Sequence, residues 1–210
     1  MAKYLVYISF VLLFTLTGCK PDPLTFKING IIMDETFNKP LGGGKVELHT
    51  FKAGSLFGTL AEINELSEDG KFSFEIERSN FEKIELKVVK ENYFSIDHSV
   101  MFSDLKSNEE NTFDLGITAK SWTEFIIKNQ SNPSSNDEFK FLKQSGKTNC
   151  SECCSNDYEF YYGHIDTVVV CPNDGNSYMH FYYWVNGNQM HGKDSVFNEP
   201  FKTITYEFIY

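Results

Sequence analysis

The chain has 210 residues, a formal net charge of −10 and an aromatic fraction of 16%. That acidic balance excludes nucleic acid and anionic lipid as partners, because both are held by basic patches. The length allows one large domain or two ordinary ones. No stretch keeps a 3.6-residue apolar period, whereas period-two alternation recurs, so the expected fold class is all-β.

Lys3 makes the start of the chain positive, and Tyr4 to Leu16 is apolar apart from Ser9 and Thr15. This run is shorter than the about 20 residues a membrane span needs and has the layout of a secretory leader. Leu16-Thr17-Gly18-Cys19 follows, then Lys20-Pro21-Asp22-Pro23. The pattern resembles the lipobox of bacterial lipoproteins. The resemblance implies removal of residues 1–18 as a signal peptide, acyl chains such as palmitate on Cys19, and a tether over 19–23. The expected location is the cell envelope, anchored by lipid to the outer membrane, on a face and leaflet the sequence leaves open. Each buried CH₂ of an acyl chain contributes about 0.8 kcal/mol, and more than one chain makes attachment stable.

The first domain is expected over 24–119. Phe26, Ile28 and Ile32 predict a strand with one buried face, and Phe37-Asn38-Lys39-Pro40 a turn. Gly42-Gly43-Gly44 leads to a second strand in which Val46 and Leu48 face opposite to Glu47 and His49. Glu68-Asp69-Gly70 has turn chemistry. Phe72, Phe74 and Ile76, then Ile84, Leu86 and Val88, give two more strands, the latter closed by Tyr93-Phe94. Asn111 to Ile117 reads as a last strand.

This series resembles the carboxypeptidase regulatory-like domain, a transthyretin-like or Ig-like β-sandwich. The resemblance rests on Asn29-Gly30-Ile31-Ile32, on Lys39-Pro40-Leu41 with the glycines before Val46-Glu47-Leu48, and on Glu68 to Phe74. Leu86 to Tyr93 and Asp114-Leu115-Gly116 complete it. Asn92 stands where the family has glycine, and Asn tolerates the left-handed region. Leu66-Ser67-Glu68 lacks the family's usual threonine. In this family the domain is a non-catalytic spacer, so no active residue is implied.

A second small β-sandwich is expected over 120–210, with the boundary placed before Ser121. Trp122 to Ile127 predicts a strand, Asn129 to Asp137 a loop, and Phe139, Phe141 and Leu142 the strand after it; the two read as one hairpin. Ile165 to Val170 and Tyr178 to Val185 are further strands. Asn186-Gly187-Asn188 has hairpin-turn chemistry, and Thr203 to Tyr210 alternates Ile204, Tyr206 and Phe208 against polar positions. The general pattern is similar to the second module of exported Bacteroidetes lipoproteins.

With Cys19 assigned to lipid, Cys150, Cys153, Cys154 and Cys171 remain. An even number in an oxidising compartment reads as two disulfides. A bridge between the neighbours Cys153 and Cys154 would strain the peptide. Two pairings stay open: Cys150–Cys153 with Cys154–Cys171, or Cys150–Cys154 with Cys153–Cys171. Either pins the loop Ser145 to Asp157 to the strand expected to end at Cys171. The rival is a zinc site using these cysteines with His164 or His180, but half of the usual pair-of-pairs pattern is missing. A thioredoxin-type role would need a helix start in an α/β unit, and none is predicted.

Other chemistry is sparse. A cysteine with one of the scattered histidines, His49, His98, His164, His180 or His191, would lose its thiolate to a disulfide. Asp97, Asp104, Glu109 and Glu110 lack the spacing of a calcium loop and read as solvated surface. Asp166-Thr167-Val168 and Asp194-Ser195-Val196 resemble a short Bacteroidetes O-glycosylation signal that alternating strands also generate by chance. Tyr158, Tyr161, Tyr162, Tyr178, Tyr182, Tyr183 and Trp184 make the second domain aromatic-rich. Alternation puts Tyr182 and Trp184 on one face, as candidate binding residues, and Phe181 and Tyr183 on the other.

The sequence therefore predicts a non-enzymatic, lipid-anchored envelope accessory or binding module, needing no cofactor and no metal, with an envelope protein or a glycan as partner. A glycan-binding lipoprotein of a polysaccharide-uptake system requires an exposed aromatic platform, whereas a pure spacer requires those aromatics buried. An enzyme would need polar residues converging in a cleft between the domains.

Overall fold

The computed structural model describes residues 24–130, 133–187 and 190–210. Among the described residues, strands account for every regular element except a 3₁₀ turn at Phe102–Asp104. The first nine are β1 (Thr25–Asp34), β2 (Lys39–Pro40), β3 (Lys45–Phe51), β4 (Thr59–Glu65), β5 (Lys71–Glu77), β6 (Lys83–Val89), β7 (Ile96–Met101), β8 (Glu110–Thr112) and β9 (Leu115–Ile117). They form a five-stranded sheet built around β1 and a four-stranded sheet in the order β4-β3-β6-β7. Phe26, Ile28 and Ile32 of β1 and Phe72 and Phe74 of β5 meet Val46, Leu48, Ile84, Leu86 and Val88 in one buried cluster. The alternation that predicted these strands is the alternation that packs them.

Three features of this half differ from expectation. Asn111 to Ile117 is broken into β8 and β9, both parallel to β1. The break falls where the chain presses on Gly30: a Cβ there would lie 2.0 Å from the Phe113 carbonyl oxygen. Tyr93-Phe94 does not close β6, which ends at Val89; Tyr93 makes an isolated bridge to Ala119. Between them Asn92 takes φ 61°, the left-handed conformation that glycine supplies in the resembled family. Strands β4 and β7 were not predicted. β4 is an edge strand with almost every side chain exposed, so no face of it had to be apolar.

The remaining seven are β10 (Lys120–Lys128), β11 (Glu138–Lys143), β12 (Tyr158–Tyr162), β13 (Asp166–Asp174), β14 (Ser177–Val185), β15 (Met190–Asn198) and β16 (Thr203–Ile209). They form a three-stranded sheet, β13-β10-β16, and a four-stranded sheet, β12-β11-β14-β15. Their inner faces share a second cluster containing Phe125, Ile127, Phe139, Phe141, Phe181 and Phe208. Strands β10 and β11 are not a hairpin: β10 pairs β13 and β16, while β11 pairs β12 and β14. Both are buried on one face, so each can line one half of a core, and the connection crosses between sheets. Strand β13 also runs on past Cys171 to Asp174. Asn186 and Gly187 both have positive φ, 48° and 74°, as a tight β14–β15 turn demands.

No sheet among the described residues mixes strands from before and after residue 119. The two halves abut without a linker. The Ala119 N–H donates to Thr36 Oγ1 at 2.8 Å, and the Gly175 N–H to the Ala119 carbonyl at 2.8 Å. The Phe201 ring stacks 6.0 Å from Phe37 and lies 5.5 Å from Tyr93.

Candidate functional site

Two disulfides are present, Cys150–Cys153 and Cys154–Cys171. Each of the four cysteines among the described residues is bonded to another, so none of these is left as the thiolate that zinc or a nucleophilic mechanism requires. The second bridge ties the Ser145–Asp157 segment to β13. A loop of that size gains about 3 kcal/mol in the chain-entropy model. Lys143 reinforces it from below. It is 1% exposed, and its Nζ donates to the carbonyls of Lys147 and Cys154. Burial pushes its ammonium below the ordinary lysine range, partly countered by Glu159.

The outer face of the β12-β11-β14-β15 sheet carries the other candidates. In β14, Met179 and Phe181 are buried, while Tyr178 and His180 are exposed and Tyr182 and Trp184 half-buried. Register then adds what the sequence did not reveal. Lys140 of β11 lies between Phe160 of β12 and Trp184 of β14, and Leu142 between Tyr158 and Tyr182. Tyr158, Phe160 and Tyr162 alternate with inward-facing Glu159 and Tyr161, and are 52%, 48% and 65% exposed. The rings follow one another across the face: Tyr182 to Trp184 at 6.0 Å, Trp184 to Tyr158 at 5.8 Å, Tyr158 to Phe160 at 6.2 Å and Phe160 to Tyr162 at 6.2 Å. Lys140 Nζ sits 4.3 Å from the Trp184 ring centre and 5.2 Å from that of Tyr158. This is a continuous aromatic field, its rings tilted against one another by up to 58°, with a cation set into it.

Elsewhere the predicted positions do not gather. His49 contacts Glu47 at 3.3 Å, His180 stacks on Tyr178, and His164 and His191 are exposed. Asp104 accepts from Ser103, and Glu109 lies 4.0 Å from Lys106. Among the described residues no three His, Cys, Asp or Glu side chains cluster as metal ligands. Thr167 and Ser195 both fall within strands, β13 and β15. A cleft of about 520 Å³ does lie where the halves meet, lined by Glu35, Asp97, Thr118, Lys147 and Glu152 among others. Its lining cation is engaged, since Lys147 pairs with Asp174 at 2.9 Å and lies over the Phe94 ring, and the lining carboxylate of Glu152 pairs with Lys120 at 2.6 Å. Cys19, with the leader and tether, lies outside the described residues.

No protein-family model matches the sequence, and no curated protein matches it. Solved structures similar to the chain include the Bacillus anthracis TIE protein, 14% identical over 89% of this chain and 34% of that one, with a TM-score of 0.39. Another is GBS52, the minor pilin of Streptococcus agalactiae, 11% identical over 88% and 94%, TM-score 0.38. A DUF3823 family protein from Bacteroides uniformis is 9% identical over 86% and 100%, TM-score 0.33. These likenesses are too distant to bear on activity.

Proposed function

We propose that the chain is a non-catalytic, lipid-anchored binding module of the cell envelope, and that its ligand is a glycan laid across the aromatic face of the second sandwich. The observation that carries this reading is the exposure of Tyr158, Phe160 and Tyr162 beside Tyr182 and Trp184. Sugar rings have one apolar C–H face and a polar rim. Rigid aromatic side chains match the face at little entropic cost, and their polar edges, with Lys140, supply hydrogen bonds to the rim. A spacer alone would have no reason to hold these rings in water. The ordered motifs of the first sandwich support a carboxypeptidase regulatory-like spacer that carries the platform away from the membrane. The anchor reading is supported by Leu16 to Cys19.

The test is gel retardation against a panel of neutral and acidic polysaccharides. At least one should retard the protein. Trp184→Ala should weaken binding about tenfold, about 1.4 kcal/mol, and Trp184→Phe should keep most of it. If no polysaccharide retards the protein, or Trp184→Ala binds as well as wild type, the glycan reading is lost. A mature form without acyl mass on Cys19 removes the anchor.

A further inference from the structure

The most exposed large apolar side chains among the described residues are Leu56 and Phe57, 89% and 85% exposed. They form the tip of the β3–β4 hairpin, and the tip is a built turn. The Ser55 N–H donates to the Lys52 carbonyl, Ser55 Oγ donates to the Phe57 carbonyl at 2.8 Å, and Gly54, at φ 73°, donates its N–H to Glu82 Oε2. The Phe51 ring lies so close to Gly58 that a Cβ there would be 2.6 Å from it. Leu56 and Phe57 are thus held outward by an ordered loop.

Position says what they face. The Glu82 N–H donates to the Phe51 carbonyl, the Phe102 N–H to the Glu82 carbonyl, and the Arg78 N–H to the Leu24 carbonyl. The hairpin tip, the start of β1 and the end of β7 therefore share one end of the first sandwich. Leu24 and Met101, each 44% exposed, lie at that end too. The second sandwich is attached at the opposite end, where Gly175 donates to the Ala119 carbonyl, Asn176 to the Thr36 carbonyl, and the Phe201 ring lies on Tyr93. Four residues lie between Cys19 and Leu24, and the five residue steps, fully extended, reach at most about 18 Å. Whatever holds Cys19 at a bilayer holds this end close to it. In a chain of net charge −10, the segment Phe51 to Gly58 contains no carboxylate and one lysine, Lys52.

We propose that the β3–β4 tip is a second membrane contact, Leu56 and Phe57 entering the interfacial layer of the bilayer that the anchor occupies. This rests on the anchor part of the function proposed above and not on the glycan part. Acyl chains on a short tether hold the protein near the membrane but leave it free to tumble. Two apolar side chains on an ordered loop add a shallow second point, at the depth where amphipathic surfaces settle, and so fix which way the molecule stands.

The experiment uses phosphatidylcholine vesicles carrying bromine on the acyl chains near the headgroup, which quenches tryptophan on contact. Chain 20–210 with an amino-terminal hexahistidine tag is bound to such vesicles through nickel-chelating lipid, so the same end is held whatever Cys19 carries. In Phe57→Trp the added emission should shift to the blue and lose at least half its intensity. Wild-type emission from Trp122 and Trp184 should be unquenched. Phe57→Trp combined with Leu56→Ser should lose most of the quenching. Added emission that stays at the wavelength of water-exposed tryptophan and is unquenched overturns the proposal. Acyl mass on Cys19, measured separately on the native protein, reports the anchor alone.

Discussion

Tyr93 and Tyr210 make opposite uses of the same hydroxyl. Tyr93 donates to buried Asp34 at 2.7 Å, whereas Tyr210 Oη is buried with no partner among the described residues. Tyr93→Phe leaves a buried carboxylate short of a donor and should cost about 1.5–3 kcal/mol. Tyr210→Phe removes an unpaired group and should stabilise by about 1 kcal/mol. Urea denaturation of the two variants checks both signs. Burial raises the phenol pKa of Tyr93, Tyr161 and Tyr206, each further raised by a carboxylate partner, Asp34, Glu159 and Asp194 respectively. Burial, with Asp137, also takes Tyr210 up to about 12. A raised folded-state pKa means that both states keep the proton below about pH 10. Above it only the unfolded chain lets go, so stability falls with rising pH until the folded-state values are passed. The urea midpoint should fall between pH 9.5 and 11.5, with tyrosinate absorbance at 295 nm rising further on unfolding as the buried phenols are released. A flat midpoint would contradict the assignment.

At the scale of elements, the segment from Ser145 to Asp157 depends on the Cys154–Cys171 bridge and on Lys143. Reduction should release hydrogen-exchange protection there first and spare residues 24–119, which contain no cysteine. Lys143→Met keeps the buried stem but leaves the Lys147 and Cys154 carbonyls unpaired, and should loosen the same segment with the bridges intact. Sequence patterning revealed the strands that bury one face, such as Phe72-Ser73-Phe74 and Ile84-Glu85-Leu86. It missed β4 because Leu60 and Ile63 stay exposed rather than joining a buried face, and β12 because Tyr158 to Tyr162 is aromatic on both faces. The platform was half visible for the same reason. Local alternation separated Tyr182 and Trp184 from Phe181 and Tyr183. Which strand brings Lys140, Tyr158 and Phe160 beside them is a matter of register, and register is fixed by long-range packing.

At the largest scale, the described residues form two sandwiches that meet at a joint. Phe201 holds φ at 63°, an uncommon conformation for a bulky residue, and it keeps its ring on Phe37 and Tyr93. Local strain of this kind persists when surrounding contacts over-determine it. The intact chain should therefore unfold in a single calorimetric transition, and Phe201→Ala should split it into two. Residues 24–119 expressed alone should still fold cooperatively with a β-type far-ultraviolet spectrum, since their core cluster draws on no side chain beyond Ala119. A chain 24–119 without cooperative unfolding would overturn the division. The joint itself was not legible. Its contacts pair Thr36 with Asn176 and Phe37 with Phe201, and nothing in local composition marks such distant positions as neighbours.

The parallel pairing of first and last strands in each half has a mechanical consequence. β1 lies beside β8 and β9, and β10 beside β16 from Trp122↔Thr203 to Lys128↔Ile209. Tension entering at Leu24 and leaving at Tyr210 pulls these partners past each other along their length. Their hydrogen bonds must then fail together in shear, where a hairpin loaded at its open end would unzip one bond at a time. Under the function proposed above, with a tether at one extremity and a ligand near the other, this pairing would resist drag. Single-molecule pulling between residues 24 and 210 should show high-force rupture of each sandwich, and pulling across the β14–β15 hairpin should not.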